Sequence, residues 1–132
     1  MDAFSVMERT LVHNFLHVFV LALAVWIFYR EDWKNSFVLL MLTMIVDIDH
    51  LLANPLFDPQ RCSIGFHPLH TEAATSLYAL MLLHRKFRIF GLGLLIHMSL
   101  DGLDCMWMAS ISPNRKILVQ TTIDLAIFSM IL

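Results

Sequence analysis

Charge is scarce in this chain: only 15% of its residues are Asp, Glu, Lys or Arg, against about 25% in typical soluble domains. Glycine and proline number four each among 132 residues, too few for a collagen-like or loop-dominated protein. Two cysteines, Cys62 and Cys105, are too few for a disulfide scaffold and too far apart for a zinc ribbon. No cluster of Lys and Arg interleaved with aromatic residues is present, so a nucleic-acid partner is not expected. The N-terminus, Met1-Asp2 followed by Glu8 and Arg9, lacks the basic region and small-residue cleavage site of a signal peptide, and its apolar run reads as a retained span.

What fills the space is apolar: 58% of the residues are hydrophobic. A soluble domain of this size buries only about two-thirds of the surface its unfolded chain exposes. Lipid is therefore expected to cover the remainder. Five apolar stretches approach the length a helix needs to cross the hydrocarbon core. They are Leu11 to Tyr29, Ser36 to Leu52, Thr71 to His84, Ile89 to Ala109 and Ile117 to Leu132. The third is the shortest, and the fifth carries Asp124 in its middle. Ala53 to Leu69 is turn-rich, with Asn54-Pro55, Asp58-Pro59 and Gly65. Open strand edges are excluded inside lipid, because their backbone groups would lack partners. The expected fold is all-α: a polytopic membrane bundle of four to five transmembrane helices, with residues 1–132 forming a single transmembrane domain.

The polar residues inside these stretches carry the functional signal, since ionisable groups within a membrane are costly. His13 and His17 open the first stretch; Asp47, Asp49 and His50 close the second; His67 and His70 precede the third; His97, Asp101 and Asp104 lie late in the fourth. Successive helices reverse direction, so all of these belong to one side of the membrane. Helical spacing refines this: His13 and His17 share a face, as do Asp47 and His50, and His97, Asp101 and Asp104 form a stripe. Carboxylates and imidazoles projecting into a bundle core are how helical bundles hold one or two metal ions. Mixed nitrogen and oxygen donors suit zinc first, with iron or manganese as alternatives. Read singly, each residue has a plainer explanation. A lone intramembrane His most often hydrogen-bonds between helices, Glu72 suits a helix start, and Asp124 can pair inside the bundle. His84, beside Arg85-Lys86, belongs to the opposite side and reads as interfacial.

The motif order Val46-Asp47-Ile48-Asp49-His50, then Gly65-Phe66-His67-Pro68-Leu69-His70-Thr71, then His97-Met98-Ser99-Leu100-Asp101 resembles a family of small bacterial inner-membrane proteins described as metal-dependent hydrolases of the LexA-regulated type. It is nearer still to a sister group of short membrane proteins. The family pattern is D-x-D-H at a helix end, an H-R-G-x-T-H-S segment, and H-x-x-x-D in a later helix; the likeness runs from about Leu11 to Met108. It implies a metal-dependent hydrolase with Asp47, His50, His67, His70, His97 and Asp101 as metal-site residues. This chain departs from the pattern after His67, where Pro68 stands in place of Arg, so any substrate role of that Arg would fall to Arg61.

The expectation is thus a membrane hydrolase acting on a lipid or another small amphiphilic ester or phosphoester. One or two divalent ions would be held by His13, His17, Asp47, His50, His67, His70, His97 and Asp101. Asp49 or Asp104 would serve as general base, and Asp49 could equally support or cap the site. A di-metal oxidoreductase of the desaturase type is the first rival, since His13-x-x-x-His17 and His67-x-x-His70 look like fragments of histidine boxes. A non-enzymatic metal carrier is the second. A homo-oligomer is left open. Arg85, Lys86 and Arg88 crowd a short loop, which the positive-inside rule places in the cytoplasm. The metal site is then expected on the extracytoplasmic side of the bacterial inner membrane. Cys62 and Cys105 fall on that side, either bonded over the site or as two free thiols.

Overall fold

The computed structural model describes residues 3–56, 58 and 61–111, and all of its regular elements are helical. Helix α1 covers Ala3–Phe28, a run without Gly or Pro, and after the short turn at Arg30–Asp32 helix α2 covers Trp33–Leu42. The chain then tightens into a 3-10 helix over Thr43–Leu52. Helix α3 covers Glu72–Met81 and α4 covers Arg88–Ile111.

Three segments are long and apolar enough to cross a membrane: Val6–Phe28, Arg30–Leu52 and Arg88–Ser110. The third apolar stretch, expected as a crossing over 71–84, forms a helix of only 10 residues. At 1.5 Å per residue it is about 15 Å long, half the roughly 30 Å of hydrocarbon. Among the described residues, three of the four expected crossings are thus long and apolar enough to span, and the stretch 71–84 is not. Thr71 starts α3 by accepting a hydrogen bond from the Ala74 amide, and the backbone before it is extended or turned. The chain beyond 111, with the fifth stretch and Asp124, lies outside the described residues.

The bundle is polar within and apolar without at one end. Phe15, Phe19, Trp26, Leu80 and Leu83 are exposed, while His17, His70, His97 and Asp101 are buried. Such an inversion suits lipid around the helices. Two apolar clusters hold the helices together. Leu21, Ala24 and Val25 of α1 pack on Leu40 of α2, and Val46, Tyr78 and Met98 join the 3-10 segment to α3 and α4. Gly91 and Gly93 let α4 come close: a Cβ on Gly91 would lie 2.7 Å from the Tyr78 carbonyl oxygen, and one on Gly93 2.6 Å from Thr43 Oγ1. The Tyr78 hydroxyl donates to the Leu69 carbonyl at 3.0 Å, anchoring the loop that carries the histidines.

Candidate metal centre

The first contributor is α4, whose α-helical turn places His97, Asp101 and Asp104 on one stripe facing inward. Against it runs α1, antiparallel, with Arg9, His13 and His17 one turn apart. The two stripes meet rung by rung. Arg9 Nε is 3.6 Å from Asp104 Oδ1, His13 Nε2 is 3.4 Å from Asp101 Oδ1, and the rings of His17 and His97 are centred 4.5 Å apart. Arg9 was not singled out from the sequence. The signal was available, since it stands four residues before His13 on the same face.

The 3-10 segment supplies the carboxylates. With three residues per turn, positions 43, 46 and 49 align, and the residues buried here are Thr43, Val46 and Asp49. Asp47 and His50 share the neighbouring face. Asp49 thereby turns inward, where its Oδ2 accepts the Leu69 amide at 2.7 Å and faces His70 Nδ1 at 3.2 Å. Pro68–His70 forms a single 3-10 turn that delivers the wholly buried His70.

Four ligand atoms converge: Asp47 Oδ1, His70 Nε2, His97 Nε2 and Asp101 Oδ2. His70 Nε2 is 3.2 Å from His97 Nε2, 3.3 Å from Asp47 Oδ1 and 3.2 Å from Asp101 Oδ2. His97 Nε2 is 3.1 Å from Asp47 Oδ1 and 3.7 Å from Asp101 Oδ2. Donors placed tetrahedrally at zinc bond lengths of about 2.0–2.2 Å stand roughly 3.3–3.6 Å from one another. The spacing therefore fits a tetrahedral cation, and the donor chemistry fits zinc, iron or manganese. Asp101 Oδ2 is buried without a hydrogen-bond partner among the described residues, although His70 Nε2 lies close to it.

Two further groups flank this one. His13, His17 and Asp101 form the second, and Asp49, His50 and His67 the third. All eight residues expected as ligands from the sequence thus fall into three adjoining groups. In the third, His50 and His67 stack with ring centres 3.8 Å apart, and His50 Nε2 lies 3.3 Å from Ser63 Oγ. Burial and the neighbouring His50 push the His67 imidazole below its ordinary value. Burial also works against the charged form of His70, but bonds to Asp101 and Asp47, reinforced by Asp49, win and raise it to about 10.

A cavity of about 130 Å³ adjoins the second and third groups, lined by Arg9, His13, His50, Arg61, His67 and Asp104 among others; the four convergent residues do not line it. Arg61 sits at its rim. Its Nη2 donates to the Pro55 carbonyl at 2.8 Å and the Leu56 carbonyl at 3.2 Å, and the guanidinium lies 4.7 Å over the Phe66 ring. Cys62 and Cys105 are bonded, which ties this loop to α4 beside the site. His84 is exposed at the other end, in the turn between α3 and α4, away from all three groups.

No curated protein and no solved structure matches the chain. Residues 7–108 match the profile of a family of unknown function, DUF6122. That segment holds every His and Asp of the three groups, Arg9, and both cysteines; the chain belongs to the DUF6122 family.

Proposed function

We propose that this chain is a metal-dependent hydrolase of the bacterial inner membrane, acting on the ester or phosphoester of a lipid or other amphiphile. The observation that carries the reading is the convergence of Asp47, His70, His97 and Asp101, at tetrahedral spacing, beside a cavity at one end of an apolar bundle. Three of the four are buried, while the Asp47 side chain keeps 41% of its exposure and marks the open edge. A divalent ion, zinc first, would supply a nucleophile from water at neutral pH and polarise the bond to be cleaved.

The chain's own residues divide the remaining work. Asp49 holds His70 through Nδ1, so that the Nε2 lone pair points to the centre. With its Oδ2 committed to Leu69 and His70, Asp49 is a positioning residue. Asp104, at the cavity wall and paired with Arg9, is the carboxylate placed to take a proton from water. Arg61 and Arg9 line the same cavity and suit the anionic part of a head group. The buried site excludes bulk water, which strengthens each of these interactions. The crowded cations at Arg85, Lys86 and Arg88 favour an orientation with the centre facing outward from the cytoplasm.

The test is hydrolysis by detergent-purified protein of a chromogenic phosphate ester, a chromogenic carboxylic ester and phospholipid vesicles. Turnover should disappear with a chelator, return with zinc or manganese, and be absent from His97→Ala. Metal-loaded protein that cleaves none of these would overturn the reading. Metal uptake into proteoliposomes would instead identify a carrier, and an iron-dependent absorbance change on reduction would identify an oxidoreductase.

A further inference from the structure

Asp101 reaches two groups with two different oxygens. Its Oδ2 faces His70 Nε2 at 3.2 Å and His97 Nε2 at 3.7 Å, within the centre described above. Its Oδ1 faces the other way, 3.4 Å from His13 Nε2 and 3.6 Å from His17 Nε2. We propose that His13, His17 and Asp101 Oδ1 form a second cation seat, so that the Asp101 carboxylate bridges a pair of divalent ions. The proposal rests on the reading of the first centre as a metal site.

The state of His17 argues for it independently. Its Nδ1–H donates to the His13 carbonyl at 3.0 Å, one turn earlier on α1. In the neutral imidazole that bond leaves Nε2 with the lone pair. His17 is 2% exposed, and its Nε2 has no hydrogen-bond partner, yet it faces a carboxylate oxygen. A lone pair held against a carboxylate inside a dry site is repulsive unless a cation stands between them. His13 offers its Nε2 to the same oxygen and lines the cavity, which opens a path for the ion. The three donor atoms lie within 4.8 Å of one another. Bridging by one carboxylate also explains why Asp101, alone among the acids of the described residues, is flanked by four imidazoles.

The third group, Asp49, His50 and His67, does not compete for this role. Asp49 Oδ2 is taken by the Leu69 amide and His70, and His50 Nε2 lies against the Ser63 hydroxyl. A proton on His17 would relieve the same repulsion, so the experiment must separate a metal from a proton.

The measurement is manganese loading of the detergent-purified full chain, counted by elemental analysis and read by electron paramagnetic resonance. Two Mn²⁺ per chain with an exchange-coupled spectrum are expected for the unaltered protein. His17→Ala, and separately the polar replacement His17→Asn, should bind one ion with a single-ion spectrum. Asp101→Ala should lose coupling altogether. One ion per chain in the unaltered protein, with a single-ion spectrum, would mean that His17 holds a proton; it would overturn the second seat and leave the first centre standing. Two ions that are uncoupled, or that persist in both His17 variants, would also overturn it. No bound ion at all would overturn the first centre too. The spectrum of the unaltered protein decides the question even if a variant fails to fold.

Discussion

His70 Nε2 and His97 Nε2 meet at 3.2 Å although the two residues stand 27 apart, one on a single turn of 3-10 helix and one on α4. Asp49 occupies the other nitrogen of His70, which leaves Nε2 turned toward His97. On the proposed reading the two are donors to one cation, with Asp47 and Asp101 completing the set.

Removing any corner should therefore empty the centre. Asp101→Ala and His97→Ala are expected to lose most of the bound metal, measured as ions per chain after purification. His84→Ala, at the far end of the bundle, should keep the full complement. Full metal in both Asp101→Ala and His97→Ala would place the site elsewhere.

Asp49 should act through His70. Supporting carboxylates of this kind are worth about 10–100-fold in metal affinity. Asp49→Asn keeps an oxygen for the Leu69 amide but removes the charge that favours the Nδ1–H tautomer. Metal affinity, measured by competition with a chromogenic chelator, should fall within that range while the midpoint of thermal unfolding of the metal-free protein changes little. Asp49→Glu should recover part of the affinity. An equal loss of fold stability and affinity would make Asp49 a purely structural residue.

The Cys62–Cys105 bond can be counted directly. Alkylation of unfolded, non-reduced protein should add nothing, and alkylation after reduction should add two groups. The bond closes a loop with a separation of 43 residues, so the chain-entropy relation gives about 4 kcal/mol as its upper contribution. Cys62→Ser should accordingly lower the unfolding midpoint and speed metal loss, since the loop it frees carries His67 and His70.

Gly91 should tolerate no side chain. An added Cβ would meet the Tyr78 carbonyl oxygen at 2.7 Å, a backbone atom that cannot rotate away. Gly91→Ala should destabilise by about 1–3 kcal/mol, the range for overpacking. Gly93→Ala meets the movable side chain of Thr43 instead, and should cost less. Thermal unfolding in one detergent ranks the two.

Orientation is testable with native cysteine chemistry. Cys105→Ser leaves Cys62 as the reporter for the site's end of the bundle, and Lys86→Cys in a background without both cysteines reports the other. A membrane-impermeant thiol reagent on intact cells should label the first and spare the second. The reverse pattern would invert the topology.

Much of the centre was legible in the sequence because helix reversal alone brings alternate ends together. His13 and His17, Asp47 and His50, and Asp101 were grouped by that rule, and the structure brings them into contact. Two features escaped it. The rule assumes α-helical pitch, whereas the segment carrying Asp47, Asp49 and His50 is a 3-10 helix; Asp49, expected as general base or as support for the site, is turned inward in line with Val46 and faces His70. The rule also treats each apolar run as a crossing, yet 71–84 is mostly α3 and turns, held against α4 through Gly91 and Tyr78 rather than by length. Arg9 lies outside that grouping, which gathers only His and Asp. Its partner Asp104 lies across the bundle, where no local spacing reveals it.

The 3-10 segment has a consequence for depth. Ten residues in this form advance about 20 Å, where an α-helix would advance about 15 Å. The backbone type thus sets how far Asp47 and His50 reach beyond the end of α2. Were residues 43–52 to relax into α-helix, those donors would withdraw by roughly 2–4 Å and Asp49 would rotate off His70. Reach and aim are both stored in the winding of this one stretch, so a substitution at Val46, which offers no ligand atom but is buried in line with Asp49, would detune the centre as well.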